Sequence, residues 1–195
     1  MTNHLGPFAL TDALVPHLQD GAIVLFIGSA TEDPERGPAK RAGFRGGRYL
    51  SAEASARGEW KPGGSIRPSM DAYATSKQCN IVTAFALARE NPHLHVNAIE
   101  PGIMFGTGLH ANMKRPRLIM MSTIATLLMP FVKVLSTPRR AARVITKIMT
   151  DPSGPTDIYY DEGGHPMQGS ALLRDLKFQD RVVAETRALL TSVPS

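Results

Sequence analysis

Tyr73 precedes Lys77 by four positions in DAYATSKQCN, residues 71–80. On a helix such positions share a face, so the phenol and the ammonium lie side by side. A free phenol titrates near about pH 10 and exchanges protons poorly at neutral pH. A nearby ammonium stabilises the phenolate and lowers that value. A Tyr beside a Lys can therefore act as general acid and base in a carbonyl–alcohol interconversion. The spacing alone occurs by chance on many helix surfaces, so its meaning depends on what surrounds it.

A hydroxyl stands where it could meet the pair. AIVLFIG, Ala22 to Gly28, is a continuous apolar and β-branched run, as in a strand buried on both faces of a parallel sheet. Ser29 follows at its C-terminal end, where open α/β sheets place their ligands. A hydroxyl there can polarise a substrate oxygen. HVNAIEPG, His95 to Gly102, reads as a second strand running into a Pro-Gly turn.

The remaining elements alternate around these. Leu5 to Leu18 carries apolar residues at helical spacing and ends near Gly21. Met70 to Glu90 is a second helix, with Ser69 as N-cap, Asp71 in the first turn and Asn91-Pro92 as its stop. Thr137-Pro138 opens a third helix through Met149. DIYYDEGG, Asp157 to Gly164, reads as a third strand and turn, and Ala171 to Leu190 as a final amphipathic helix. The order is α-β-α-β-α-β-α, which predicts an α/β fold with parallel strands and helices on the sheet faces. Residues 31–68 lack periodicity and read as a long insertion loop.

Taken together, these motifs resemble the short-chain dehydrogenase/reductase family. Its tetrad of asparagine, serine, tyrosine and lysine is matched by Asn3 in TNHLGPF, Ser29 in FIGSATEDP, and Tyr73 and Lys77. The Pro-Gly turn and following Thr look like Pro101, Gly102 and Thr107 in EPGIMFGTGL. NHLGPF, the long insertion, YATSKQCN and PGIMFGTGL look most like the branch holding retinol dehydrogenases and light-dependent protochlorophyllide reductases. The resemblance implies that Tyr73 exchanges the substrate proton. It implies that Lys77 lowers the Tyr pKa and holds the nicotinamide ribose, and that Ser29 binds the substrate oxygen. Asn3 would hold a water that links Lys77 to solvent; a helix N-cap is its other reading. Ile103, through its backbone, and Thr107 would position the carboxamide. The cofactor implied is NAD or NADP, with NADP slightly favoured, and hydride transfer is its chemistry.

The family's Gly-rich strand–turn–helix is not found in the sequence, and the chain begins just before Asn3. The resemblance thus implies a single partial domain over 1–195, the rear part of a Rossmann-like doubly wound sheet with about three parallel strands. The strand Ala22 to Gly28 would then form an exposed apolar edge prone to pair with another chain. Cofactor affinity would collapse, because pyrophosphate and adenosine contacts supply much of it. Two functions follow. One is an oxidoreductase acting on a small apolar carbonyl or alcohol, working as a homo-oligomer. The other is a non-enzymatic remnant acting only through association, using the helices Leu5–Leu18 and Met70–Glu90, which resemble the family's dimer-forming pair.

Composition bounds the rest. The chain has 195 residues, 43% hydrophobic and 20% charged, ordinary values for one globular domain. Its one cysteine excludes an internal disulfide framework and fits a reducing, cytoplasmic compartment. Cys79 resembles a cysteine of the protochlorophyllide reductase branch, or is a small core residue. The histidines lack metal-ligand spacing, so no metal is expected. The net charge of +5 draws on Lys40, Arg41, Arg45 and Arg48, read as a solvated mobile loop with no nucleic-acid signature. Leu118 to Val132 is too short and too interrupted by Pro130 for a membrane span. The Met-rich stretch 103–135 reads as a lid over a lipophilic substrate, or as a peripheral membrane contact beside Lys114, Arg115 and Arg117.

Overall fold

The structure, a computed structural model, describes residues 2–59, 67–103, 123 and 136–192. Thr107 and nearly all of the expected lid lie outside the described residues. Strands β1 (Ile23–Ile27), β2 (His95–Ile99) and β3 (Tyr159–Tyr160) form one sheet in that order, and both pairings are parallel. This is the predicted α/β arrangement. β1 is an edge strand, with Ile27 40% exposed.

Alternation along the strands sorts their side chains to two faces. Val24, Phe26, Val96 and Ala98 join the core beneath the long helix α4 (Pro68–Glu90), with Ile81 and Phe85 of that helix. Ile23, His95 and Asn97 point to the opposite face. There they line a cavity of about 210 Å3 with Val144 and Ile148 of helix α5 (Pro138–Met149). Helices α1 (Thr2–Leu14) and α6 (Leu176–Ser192) pack beside α4, where Phe8, Ala86 and Val183 form a second apolar cluster.

Several element ends differ from the sequence expectation. α1 runs from Thr2 to Leu14 and tightens into a short 3-10 turn over Val15–His17, because Pro16 cannot continue the α-helical ladder. α4 starts at Pro68 rather than Met70. Arg67 holds the N-cap position without a side-chain cap, Pro68 supplies the first helical φ, and Ser69 lies inside the helix. β3 is shorter than predicted; the chain turns after Tyr160 and returns at Pro166 to bridge it. The last helix is broken at Asp175, whose Oδ1 accepts the Lys177 and Phe178 amides and restarts the chain as α6. Thr137 does cap α5, its Oγ1 accepting the Arg140 amide at 3.1 Å.

The described part of the 31–68 stretch is better organised than a bare loop. It holds α2 (Gly37–Arg41) and α3 (Ala52–Arg57), the latter capped by Ser51. Arg45 and Arg48 are not simply solvated. Both reach the buried Asp71 carboxylate on α4, at 2.5 and 3.8 Å. The Arg48 amide donates to Thr75 Oγ1 at 2.9 Å. A buried carboxylate needs such partners, so Arg45 and Arg48 dock on α4, while Lys40 pairs with Glu35 at the surface and Arg41 is exposed.

Gly28 joins β1 to Ser29 and has no room for a side chain. A Cβ there would lie 2.7 Å from Ile81 Cγ1 and 3.2 Å from the Tyr159 ring. Gly28→Ala should therefore lower stability by about 1–3 kcal/mol, measured by urea denaturation.

Candidate functional site

The C-terminal ends of β1 and β2 lie together because their parallel register pairs Ile27 with Ile99. Ser29 leaves β1 in extended conformation and caps a 3-10 turn over Ala30–Glu32. Its Oγ accepts from the Thr31 amide at 3.4 Å and from Thr31 Oγ1 at 3.2 Å. That leaves its own proton free to donate elsewhere. Tyr73, in the second turn of α4, faces it; the Ser29 hydroxyl stabilises the phenolate form of Tyr73. Phe44 closes over the other side of the Tyr73 ring, at 6.3 Å between centroids.

Lys77 follows one turn later, with Nζ 5.5 Å from the Tyr73 ring centroid. The ammonium donates to the Ile27 carbonyl at 3.0 Å. Sequence reasoning has Lys77 lowering the Tyr73 pKa; on balance that pKa is raised, by influences other than Lys77. Burial is the largest influence and raises it, Ser29 works against burial, and the Glu100 charge adds to it. Lys77 Nζ stands over the Tyr73 ring, and burial lowers its own pKa. A neutral phenol is a proton donor first.

Asn3 enters indirectly. Pro7 stands four residues on and has no amide proton for the Asn3 carbonyl, so that oxygen is released from the helix ladder. Asn80 Nδ2 takes it at 3.1 Å and also reaches the Ile27 carbonyl at 3.3 Å. Asn80 Oδ1 accepts from His4 Nδ1 at 3.1 Å, and His4 Nε2 lies 3.1 Å from Thr186 Oγ1. Burial pushes His4 down to about 4, so it is neutral and holds a single ring proton. Asn80 therefore links Asn3, Lys77 and β1. Sequence reasoning assigned it no role; its spacing of three from Lys77, on the same helix face, was the available signal.

Pro101 and Gly102 follow Glu100 at the end of β2, and Gly102 adopts a φ of 82°, open to glycine and strained for other residues. The Ile103 carbonyl accepts the Ser136 amide at 3.0 Å. Two buried carboxyls also escaped sequence reasoning. Glu32 accepts from the Ser170 amide at 3.0 Å and the Ser170 hydroxyl at 2.5 Å. Glu100 stands 3.8 Å from Arg36. Burial is the main cause that raises each from the usual 4.5 to about 7. Cys79 is fully buried in the core, and burial raises its thiol pKa. Among the described residues no cluster fits a metal ion, and no helix is long and apolar enough to cross a membrane.

No protein-family model matches the chain, and no curated protein does. Solved structures do. An uncharacterised protein from Mycobacterium paratuberculosis is similar over 97% of this chain and 57% of its own, at 20% identity and a TM-score of 0.57. The shared property is the fold. Salutaridine reductase from Papaver somniferum aligns over 81% of this chain and 52% of its own, at 18% identity and a TM-score of 0.46, too loose to bear on function. The chain spans little more than half the length of either structure.

The two carboxyls give a pH dependence with a definite sign. Their native pKa lies above the unfolded value, so between about pH 4.5 and 7 the native state holds protons that the unfolded state has released. Stability from each group falls as pH rises through that window, with a slope approaching about 1.4 kcal/mol per pH unit, and the loss is complete above it. His4 acts oppositely, because its native pKa is depressed and acid must charge it. The readout is thus the difference between variant and parent. Glu100→Gln, or Glu32→Gln, should gain stability relative to the parent at pH 8 compared with pH 5 in urea titrations.

Proposed function

We propose that this chain carries the catalytic side of a short-chain dehydrogenase/reductase-type oxidoreductase that interconverts a carbonyl and an alcohol on a small apolar molecule. The observation that supports this best is the meeting of Ser29, from the end of β1, with Tyr73 of α4, and with Lys77 one turn further along. Two segments distant in sequence, the end of β1 and the first turns of α4, converge at the C-terminal ends of parallel strands, where open α/β sheets bind ligands. The finer likeness to retinol dehydrogenases and protochlorophyllide reductases rests on the motifs around Asn3, Tyr73 and Pro101.

In this reading Ser29 donates its free proton to the substrate oxygen and polarises the carbonyl. Tyr73, kept protonated by burial, delivers its proton to that oxygen as the alcohol forms. Lys77, which donates to the Ile27 carbonyl, would hold the nicotinamide ribose, and Asn3 and Asn80 would support it from α1 and α4. The cofactor is NAD or NADP, which supplies hydride when bound. Tyr73 and Lys77 would hold its nicotinamide end together with the backbone of Pro101, Gly102 and Ile103, where Gly102 presents no side chain. Thr107 would join them. No Gly-rich strand–turn–helix in the sequence would hold the pyrophosphate.

The rival reading, an association module without turnover, draws on exposed apolar surface. The open side of β1 borders a groove of about 500 Å3, and Leu10 and Leu14 of α1 are 63% and 47% exposed. Nicotinamide fluorescence titration separates the two. NADPH should bind this chain weakly, with a Kd above about 1 mM. Where turnover of an apolar carbonyl is measurable, Tyr73→Phe should reduce it by roughly 100-fold or more and leave binding largely unchanged. Equal turnover in the variant would refute the role of Tyr73. Neither binding nor turnover in the parent would favour association.

A further inference from the structure

GFRGGR, Gly43 to Arg48, lies between Ser29 and Tyr73 in the chain. It follows helix α2 and not a strand, unlike the glycine loop of a dinucleotide site. Its contacts run to two sides. On one side the Gly47 amide donates to the Glu32 carbonyl at 2.8 Å, and Glu32 is the last residue of the turn that Ser29 caps. On the other it meets the first turns of α4. Arg45 Nη2 pairs with Asp71 Oδ2 at 2.5 Å, and the Arg48 amide donates to Thr75 Oγ1 at 2.9 Å. Asp71 and Thr75 stand two residues to either side of Tyr73. Next to the Arg45 anchor, Phe44 packs on the Tyr73 ring, tilted by 51° with the centroids 6.3 Å apart.

The glycines make this double contact possible. Gly46 has a φ of 76°, and a Cβ there would lie 2.6 Å from Pro34 Cδ and 2.9 Å from the Glu32 carbonyl oxygen. A Cβ on Gly47 would run into the Gln78 amide of α4, and Gln78 is buried with little room to withdraw. Side chains at these two positions would push the backbone off the turn and off the helix. The ionic anchor is sheltered as well: the side chains of Asp71 and Arg48 are 3% and 14% exposed. A charge-assisted bond shielded from water holds its geometry better than a surface pair. Core packing sets α4 on the sheet, but the tilt of the half-buried Tyr73 ring is left to local contacts.

We propose that GFRGGR is a positioning strap: it ties the turn carrying Ser29 to the first turns of α4, and through Phe44 it fixes the tilt of the Tyr73 ring. Asp71 is the latch that keeps it down. Phe44, Arg45 and Asp71 act through Tyr73 and need not touch substrate or cofactor. Like the proposed function, this role rests on Ser29 and Tyr73 being the reacting pair, but its test needs neither cofactor nor turnover.

The chain is prepared with 3-fluorotyrosine, which puts a fluorine on each of its four tyrosines, and the Tyr73 resonance is identified by its loss in Tyr73→Phe. Phe44→Leu then gives the position of that resonance without the neighbouring ring. Asp71→Asn removes the latch charge and leaves Phe44 in the chain. It should carry the Tyr73 resonance most of the way to its Phe44→Leu position. The Gly47 and Arg48 amides should lose protection from hydrogen exchange about tenfold or more, while Val96 and Ala98 of β2 keep theirs. A general loss of stability would lower protection throughout and leave the Tyr73 resonance in place. An unmoved Tyr73 resonance in Asp71→Asn, or unchanged Gly47 protection, overturns the strap. If Asp71→Asn fails to fold, Arg45→Gln decides by the same two readings, because it leaves Arg48 beside Asp71. A Tyr73 resonance that follows the latch in a chain that binds no dinucleotide upholds the strap and counts against the oxidoreductase reading instead.

Discussion

Everything at this site depends on the parallel pairing of β1 with β2. Parallel strands bring like ends together, and the register that sets Ile27 against Ile99 carries Ser29 and Glu100 to one edge of the sheet. The connection between them must cross a face of the sheet, and α4 is that crossing. It runs back over the strands with its first turns at their C-terminal ends, so Tyr73 and Lys77 arrive beside Ser29. The hydroxyl, the phenol and the ammonium meet because of the direction of two strands, not because any one of them seeks another.

Polar groups at the outer side of β1 are then satisfied from the helices. Groups that pair with β2 alternate along β1 with groups that face outward, and the Ile27 carbonyl faces outward. Lys77 and Asn80 both donate to it, at 3.0 and 3.3 Å. The same Asn80 amide donates to the Asn3 carbonyl that Pro7 leaves without a partner in α1. Helix and strand are joined by side-chain bonds where a ladder is unavailable, and the site's ammonium is one of the joining groups.

Burial decides the ionisation of the groups around the phenol. Tyr73, Glu32 and Glu100 all shift toward their neutral forms, and His4 does likewise. Desolvation outweighs the single cation near the carboxyls, Arg36, at 3.8 Å.

The alternation of helices and strands, the Tyr73–Lys77 face and the strand-end position of Ser29 were all legible in the sequence, because they follow from periods of 3.6 and 2 and from turn residues. Boundaries were less so: Pro16 and Asp175 moved two helix ends through local hydrogen bonding that the apolar pattern does not encode. The direction of the Tyr73 shift, the docking of Arg45 and Arg48 on Asp71, the contacts of Asn80 and the burial of Glu32 and Glu100 came only from the tertiary structure. Each depends on how much water is excluded and on which distant group fills the space. Neither quantity is carried by the spacing of residues along the chain.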